Sequence, residues 1–410
     1  MAGHRPRPLA AGGDGTPQSP VILPPSASIH APSAPVIRDD VPLQAIAPAQ
    51  WDALAPGQPL LSHAFLSALE ASGCAAPPTG WRPHLLSTWQ GDRLSGAMPL
   101  FAKDHSYGEY VFDWAWADAF ARYGRAYYPK LLAAIPFTPA VGPRLLATDP
   151  EQRARLLDRA LCMMREGYSS LHVNFLTRDE ALLCERAGLT LRQGIQFHWS
   201  NPGYRDFADF LAGFNHDRRK KINQERRKLH AANIRFERRT GRAIAAADWT
   251  FFHRCYVNTY RLHRSTPYLT LPFFEQIGAS MPEHLLMVIG YRDDIPICSA
   301  LDVFSADALW GRYWGAIDYV PGMHFETCYY QAIEFCIERA IERFEGGAQG
   351  LHKLARGLLA TPTWSAHAIA DADFSSAIAD YCARERSDVA HTLEELEAAA
   401  PLRPSPRVLD

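Results

Sequence analysis

An α+β fold built from one unit used twice is what this sequence predicts, and two observations carry the expectation. Stretches of strand character alternate with stretches of helical periodicity, which indicates mixed layers and not a helical bundle. The order of segments also repeats. "WQGDR" leads to "LSGAMPLFAK" and then "EYVFDWAWA", just as "YRDD" leads to "ICSALDVFSA" and then "ALWGRYWGAI". Each half offers a hairpin and a third strand ending in Trp-Ala or Trp-Gly. Tyr-Tyr then heads an aliphatic run, at Tyr127-Tyr128 and again at Tyr329-Tyr330. The expected organisation is a leader over 1–37, a first domain over 38–200, a second over 201–396 and a flexible tail over 397–410.

In chain order, residues 1–37 are rich in Pro, Ala, Ser and Gly and poor in aromatics, so they bury too little surface to offset their ordering entropy and read as disordered. Both a dispensable leader and a functional tail fit that composition. "DPEQRARLLDRALCMMREG" starts a helix with an Asp149 cap, Pro150 in the first turn and Gln152 three residues past the cap. Leu156, Leu157, Ala160, Leu161 and Met164 form its apolar face, and Gly167 closes it. "SSLHVNFL" reads as a buried strand, "RDEALLCERAG" as a helix and "RQGIQFHWS" as an alternating strand. Later, Phe325 to Phe344 carries apolar residues at steps of three and four with Glu334, Glu338, Glu342 and Arg343 opposite, the pattern of an amphipathic helix. In "EGGAQGLHKLARGL", Gly346-Gly347 are expected to end that helix and a strand to follow.

Composition narrows the function classes. With 410 residues, 47% hydrophobic and a net charge of −2, the chain has room for two or three domains and no global charge to recruit a partner. Its eight cysteines are scattered without a CxxC, which argues against a zinc knuckle or disulfide framework and fits reduced thiols in a cytoplasm. No apolar run reaches the roughly 18 residues of a membrane span, and no apolar stretch follows the N-terminal arginines as in a secretory signal. Walker, GxGxxG, GxSxG and HExxH motifs are absent, so ATP hydrolysis, hydride transfer and serine hydrolysis lose support. No metal site is expected, and His172 and His198 read as packing or hydrogen-bonding residues.

Two segments invite anion binding. Residues 216–239 hold ten Arg/Lys against Asp217, Glu225 and Glu237, and up to Asn233 the run lacks Pro and Gly. A basic helix over 216–233 is therefore expected, with Arg218, Arg219, Lys220 and Lys221 at its start. A solvated face and a polyanion site both remain open. The junction "WGRYWGAIDYVPGMHFETCYY" runs from a strand through a Pro-Gly turn at Gly322 into a helix start, where backbone N–H groups can meet an anion. Arg312 and Gly315 there weakly resemble the Arg-x-x-Gly-x-Gly/Ala pyrophosphate loop of acetyltransferases, with Ile317 in the last position.

Taken together, "FDWAWADAF", "YYPKLLAAIPFTPAVGPRLL", "QFHWSNPGYRDFADFLAGF", "RRKKINQERRK", "PYLTLPFF", "HFETCYYQAIEFCIERAIERFEGGAQG" and "HKLARGLLATPTWSAH" resemble the peptidoglycan biosynthesis/recognition family, described as FemAB-like N-acyltransferases of the GNAT superfamily. The resemblance covers about 42–390. It implies tandem duplicated GNAT-like domains, each a mixed sheet flanked by helices. It also implies transfer of an acyl or aminoacyl group to an amine or cell-wall precursor, with acyl-CoA or aminoacyl-tRNA as donor and no tightly bound cofactor. An RNA or precursor binder without turnover is the alternative. Direct attack needs a proton acceptor, for which His324 and Glu326 stand at the helix start. Tyr329 and Tyr330 can return a proton, and Lys353 and Arg356 can stabilise an oxyanion. Gly142 and Arg144 in "AVGPRLL" are the corresponding candidates of the first half. The resemblance implies an acidic residue where this chain has Leu351, so a carboxylate base is either lost or supplied from elsewhere.

Overall fold

The computed structural model describes residues 35–347 and 350–402. Its frame is an 11-stranded sheet in the order β2-β5-β6-β7-β14-β8-β13-β12-β11-β10-β9, with a separate three-stranded sheet β1-β3-β4. The strands are β1 (Val36–Arg38), β2 (Trp81–Pro83), β3 (Leu86–Gln90), β4 (Arg93–Met98), β5 (Leu100–Lys103), β6 (Lys130–Ala133), β7 (Ser170–Leu176) and β8 (Thr190–Ser200). They continue with β9 (Ile234–Thr240), β10 (Leu285–Arg292), β11 (Ile295–Phe304), β12 (Ala308–Ala316), β13 (Arg343–Glu345) and β14 (Leu359–Ile369).

The repeat lies in the crossovers. In the first half, β6 is joined to the parallel β7 through the helix Pro150–Gly167. In the second, β12 is joined to the parallel β13 through helical residues 323–338. Every other pair in the large sheet is antiparallel. The sheet runs on across residue 200, because β8 pairs with β13, and the late strand β14 lies between β7 and β8.

This register corrects the expected alignment of the halves. "DWAWADAF" is not a third strand but the helix Trp114–Arg122, whose Trp116 and Phe120, one turn apart, are buried. Its four alanines favour helix, and although the tryptophans alternate, only Trp116 is buried, together with Phe120 four residues on. Tyr127-Tyr128 precede β6, whereas Tyr329-Tyr330 lie inside a helix, so the two pairs do not correspond. The second amphipathic helix also ends early, at Glu338, and Phe344 belongs to β13. Residues 351–356 form a 3-10 turn instead of a strand.

The ends differ from expectation as well. Residues 1–34 of the predicted leader and 403–410 of the predicted tail lie outside the described residues. Val36 and Ile37, however, pair with Trp89 and Thr88 in β1. The last helix continues to Ala398, and Leu402 bridges Phe214. The Pro150–Gly167 helix follows expectation closely, with the Asp149 side chain accepting from the Glu151 backbone N–H.

Gly315 shows how tightly the second half is built. A Cβ there would meet the Cys255 carbonyl oxygen at 2.0 Å, because the helix Ala246–Leu262 lies directly on β12. Asn258 and Thr259 of that helix donate to the Ala316 and Trp314 carbonyls at 2.7 and 3.0 Å. Backbone cannot swing aside as a side chain can, so Gly315→Ala is expected to cost about 3 kcal/mol. Urea unfolding checks this, and an unchanged midpoint contradicts it.

Candidate active site

Strands β12 and β13 pair at only three positions, Ala308 with Arg343, Leu309 with Phe344 and Trp310 with Glu345. Beyond that they part, and a cavity of about 240 Å³ opens in the gap. Its walls include Gly311 to Trp314 on β12, Gly346 after β13, Ala300 and Asp302 on β11, His324, Cys328 and Tyr329 on the crossover helix, and His352 and Lys353 on the 3-10 turn. Within that helix, Glu326–Tyr330 is a π-turn. Such insertions are common at functional sites because they re-aim side chains.

The polar groups of the cavity are held in defined states. Burial, reinforced by the neighbouring His352, Arg356 and Lys353, pulls His324 down to about 4, so its imidazole is neutral near pH 7. Its ring lies 5.1 Å from that of Trp314 and 5.8 Å from that of His352. His352 Nε2 meets the Tyr329 hydroxyl at 3.0 Å. Burial holds Tyr329 well above the usual phenol range, so it keeps its proton. Lys353 is buried, donates from Nζ to the Gly347 carbonyl at 2.9 Å and is pulled down to about 8 by desolvation.

His324, Tyr329, Lys353 and Arg312, four of the residues singled out in the sequence, are thus brought together. Arg312 reaches across to the first half, donating from Nη2 to the Phe137 carbonyl at 2.6 Å and to Thr138 Oγ1 at 3.2 Å.

The others are placed differently. Tyr330 and Arg356 converge on Glu225 of the basic helix, which accepts from Tyr330 at 2.9 Å and from Arg356 Nη2 at 3.1 Å. The Arg356 guanidinium also lies 3.4 Å over the Phe325 ring. Glu326, 3% exposed, is gripped at both oxygens by Arg226, from Nη2 at 2.8 Å and Nε at 3.0 Å, while Arg226 Nη1 donates to Glu334 at 2.7 Å. Gly315 is a packing position, and Gly322, at φ +90°, starts the crossover helix. Arg144 is fully buried and turns its guanidinium to the Ala140 and Pro143 carbonyls at 2.7 and 2.9 Å. Gly142 donates its N–H to the Phe175 carbonyl on β7. Neither Gly142 nor Arg144 lines the cavity.

The basic helix spans His216–Ala231, capped by Asn215. Beside it a groove of about 790 Å³ is lined by Lys220, Arg226, Arg227, His230, Arg235 and the buried Glu326, among others. Among the described residues, Arg218, Arg219, Lys220, Lys221, Arg227 and Lys228 form no ion pair. Glu334, expected on a solvated helix face, instead anchors this element through Arg226, while Glu338 pairs with Arg238 of β9 at 2.7 Å. Arg226→Ala leaves the buried Glu326 uncompensated and is expected to destabilise the chain by about 3 kcal/mol. Glu326→Gln, which keeps an acceptor for Arg226, is expected to cost less, and equal urea midpoints for the two variants would refute this.

Sequence reasoning missed Asp302. It is 2% exposed and lines the cavity, and its Oδ2 has no partner among the described residues. Burial pushes its carboxyl well above the usual range, with Arg312 only partly opposing. The one available signal was a lone charge inside the apolar strand "ICSALDVF", a residue type almost never fully buried without purpose. Leu351, by contrast, is 69% exposed and does not line the cavity.

Residues 42–404 match the family model described as FemAB-like, peptidoglycan biosynthesis/recognition. The chain belongs to the FemAB-like family. No curated protein matches it. Among solved structures, this FemAB-like chain is similar to FemX, at 12% identity over 82% of this chain and 98% of that one, with a TM-score of 0.52. It is also similar to L-PGS from Bacillus licheniformis, at 9% identity over 78% and 91% of the two chains and a TM-score of 0.48. A tandem GNAT protein from the clavulanic acid biosynthesis pathway gives 10% identity over 79% and 94%, with a TM-score of 0.42. The fold is accordingly one shared with FemX, a mixed sheet flanked by helices as the sequence predicts. No helix among the described residues is long and apolar enough to cross a membrane.

Proposed function

We propose that this FemAB-like protein is an N-acyl- or aminoacyltransferase that joins an acyl donor to an amine in the cavity between β12 and the crossover helix. One observation carries the reading: where β12 and β13 part, a neutral His324, a protonated Tyr329 and a buried Lys353 face one 240 Å³ space. Acyl transfer to an amine needs alignment, an oxyanion stabiliser and proton transfer, and no covalent enzyme intermediate. The Lys353 cation faces the developing oxyanion. His324 takes a proton from the attacking nitrogen, and Tyr329, backed by His352, returns one to the leaving group. The donor is acyl-CoA or aminoacyl-tRNA, whose phosphates the groove beside the basic helix suits. A cell-wall precursor amine as acceptor follows from the family description, and a cytoplasmic site of action from the scattered thiols.

Two titrations bound the activity. His324 must be neutral and Lys353 charged, so kcat/KM is expected to rise as pH passes about 4 and fall as it passes about 8. A profile still rising at pH 9 contradicts the role of Lys353. Binding is tested by thermal shift with acetyl-CoA and with charged tRNA at low and high salt, since a ligand of the folded state raises Tm. A saturable rise with either donor supports the transferase reading. A salt-sensitive rise with uncharged tRNA equal to that with charged tRNA, without turnover, favours a polyanion binder, the alternative that the large basic groove keeps open.

A further inference from the structure

Resting on the transferase reading, we infer that Asp302 is the residue that receives the acceptor amine, holding it as an ammonium ion and taking its first proton. Three features of the cavity point there. Asp302 Oδ2 is a hydrogen-bond acceptor without a partner, on a side chain 98% removed from solvent and set in the cavity wall. An unpaired buried acceptor is costly to keep and is matched by a ligand that donates to it. The surrounding walls are aromatic, with Tyr313, Trp314, Tyr329 and Phe344, and aromatic faces attract a desolvated cation. The cavity's own cations do not occupy the acceptor. Lys353 donates to the Gly347 carbonyl, and the Arg312 Nη2 donors go to Phe137, Thr138 and Tyr313.

The same residue answers the question raised by Leu351. With Leu351 turned to solvent, the carboxyl group of the cavity comes from Asp302 on β11. Burial raises the affinity of Asp302 for a proton, which suits a group that must strip one from an ammonium ion. The steps balance. An ammonium R–NH3⁺ pairs with the Asp302 carboxylate, and one N–H bond breaks as its proton passes to Oδ2. The freed lone pair forms a C–N bond to the acyl carbon, and the carbonyl π-pair moves to oxygen beside Lys353. His324 takes a second proton from nitrogen. As the oxyanion collapses, the bond from carbon to the donor's leaving atom breaks, that atom takes the Tyr329 proton, and the proton held by His324 is passed on to restore the Tyr329 hydroxyl. Asp302 then loses its proton to solvent.

Binding of n-butylamine, a cation at pH 7.5, is measured calorimetrically on the full chain and on Asp302→Asn, with 1-butanol as the neutral comparator. The expected result is that the wild type prefers the amine, and that Asp302→Asn weakens amine binding by about tenfold to a hundredfold while leaving butanol unchanged. Equal amine binding by the two proteins overturns the assignment, as does a wild-type protein that binds neither probe. Because Asn is isosteric and uncharged, its Tm is expected to match or exceed that of the wild type; if Asn does not fold, Asp302→Ser replaces it. The probe needs no acyl donor, so the two readings fail separately. Asp302-dependent amine binding without transfer from either donor sinks the transferase reading alone. Transfer that persists at full kcat/KM in Asp302→Asn sinks this inference alone.

Discussion

Replacing Lys130 by Ala is expected to destabilise the chain by about 3 to 5 kcal/mol, the largest single loss that the structure implies. Lys130 is 0% exposed and donates from Nζ to Ser106 and Glu109, both at 2.8 Å, and to Asp113. Tyr127 donates to the same Asp113 oxygen at 2.7 Å and meets His172 at 3.2 Å, which in turn meets His367 at 2.6 Å. Burial pushes Asp113 up, but Lys130 outweighs it and holds the carboxyl below the usual range. Glu109, with less support, is driven up to about 7 by burial. Without Lys130 the two acids face each other with no cation between them, and one must take up a proton. Urea unfolding at pH 7 against pH 5 checks the mechanism: the penalty is expected to shrink at the lower pH, where protonation relieves the repulsion. A pH-independent loss would assign the effect to packing alone.

Lys353→Ala is expected to lower kcat/KM by about 10²- to 10³-fold, the usual cost of one oxyanion stabiliser, with a smaller effect on KM. The charge acts in a space walled by Trp314, Phe344 and Tyr329, where screening by water is weak. Removing it abolishes only one backbone hydrogen bond, to Gly347, so Tm is expected to fall by a few degrees at most. Arg356→Ala is expected to behave oppositely. Its guanidinium is tied to Glu225, the His352 carbonyl and the Phe325 ring, so its loss registers chiefly in stability. Steady-state kinetics and thermal unfolding of the two variants separate these roles, and matching profiles would refute them.

Local chemistry made the helices and inner strands legible. The Asp149 cap, Pro150 and Gly167 bound a helix that the structure reproduces residue for residue. The buried run at 170–176 and the alternation at 190–200 are strands β7 and β8. "DWAWA" was harder, because aromatics favour strands while the intervening alanines favour helix, and only packing of Trp116 and Phe120 decides between them. The repeat was legible in kind but not in register, since it resides in two parallel crossovers and not in the Tyr-Tyr pairs. At the candidate site, sequence clustering singled out 324–330 and 353–356, but a helix sends neighbouring residues to different faces. His324 and Tyr329 reach the cavity, while Glu326 and Tyr330 meet Arg226 and Glu225. Asp302 lies 22 residues before His324 in sequence, and only the pairing of β11 with β12 brings it in.

In the proposed reaction an amide forms in the cavity between β12 and the crossover helix. The most direct measurement incubates the full chain with acetyl-CoA or charged tRNA and a set of amines including n-butylamine and a cell-wall peptide, and detects amide product by mass spectrometry. Product is expected with one of the two donors, reduced at least about a hundredfold in Lys353→Ala with Tm lower by a few degrees at most. Product formed equally well by Lys353→Ala, or no product with either donor, would contradict it.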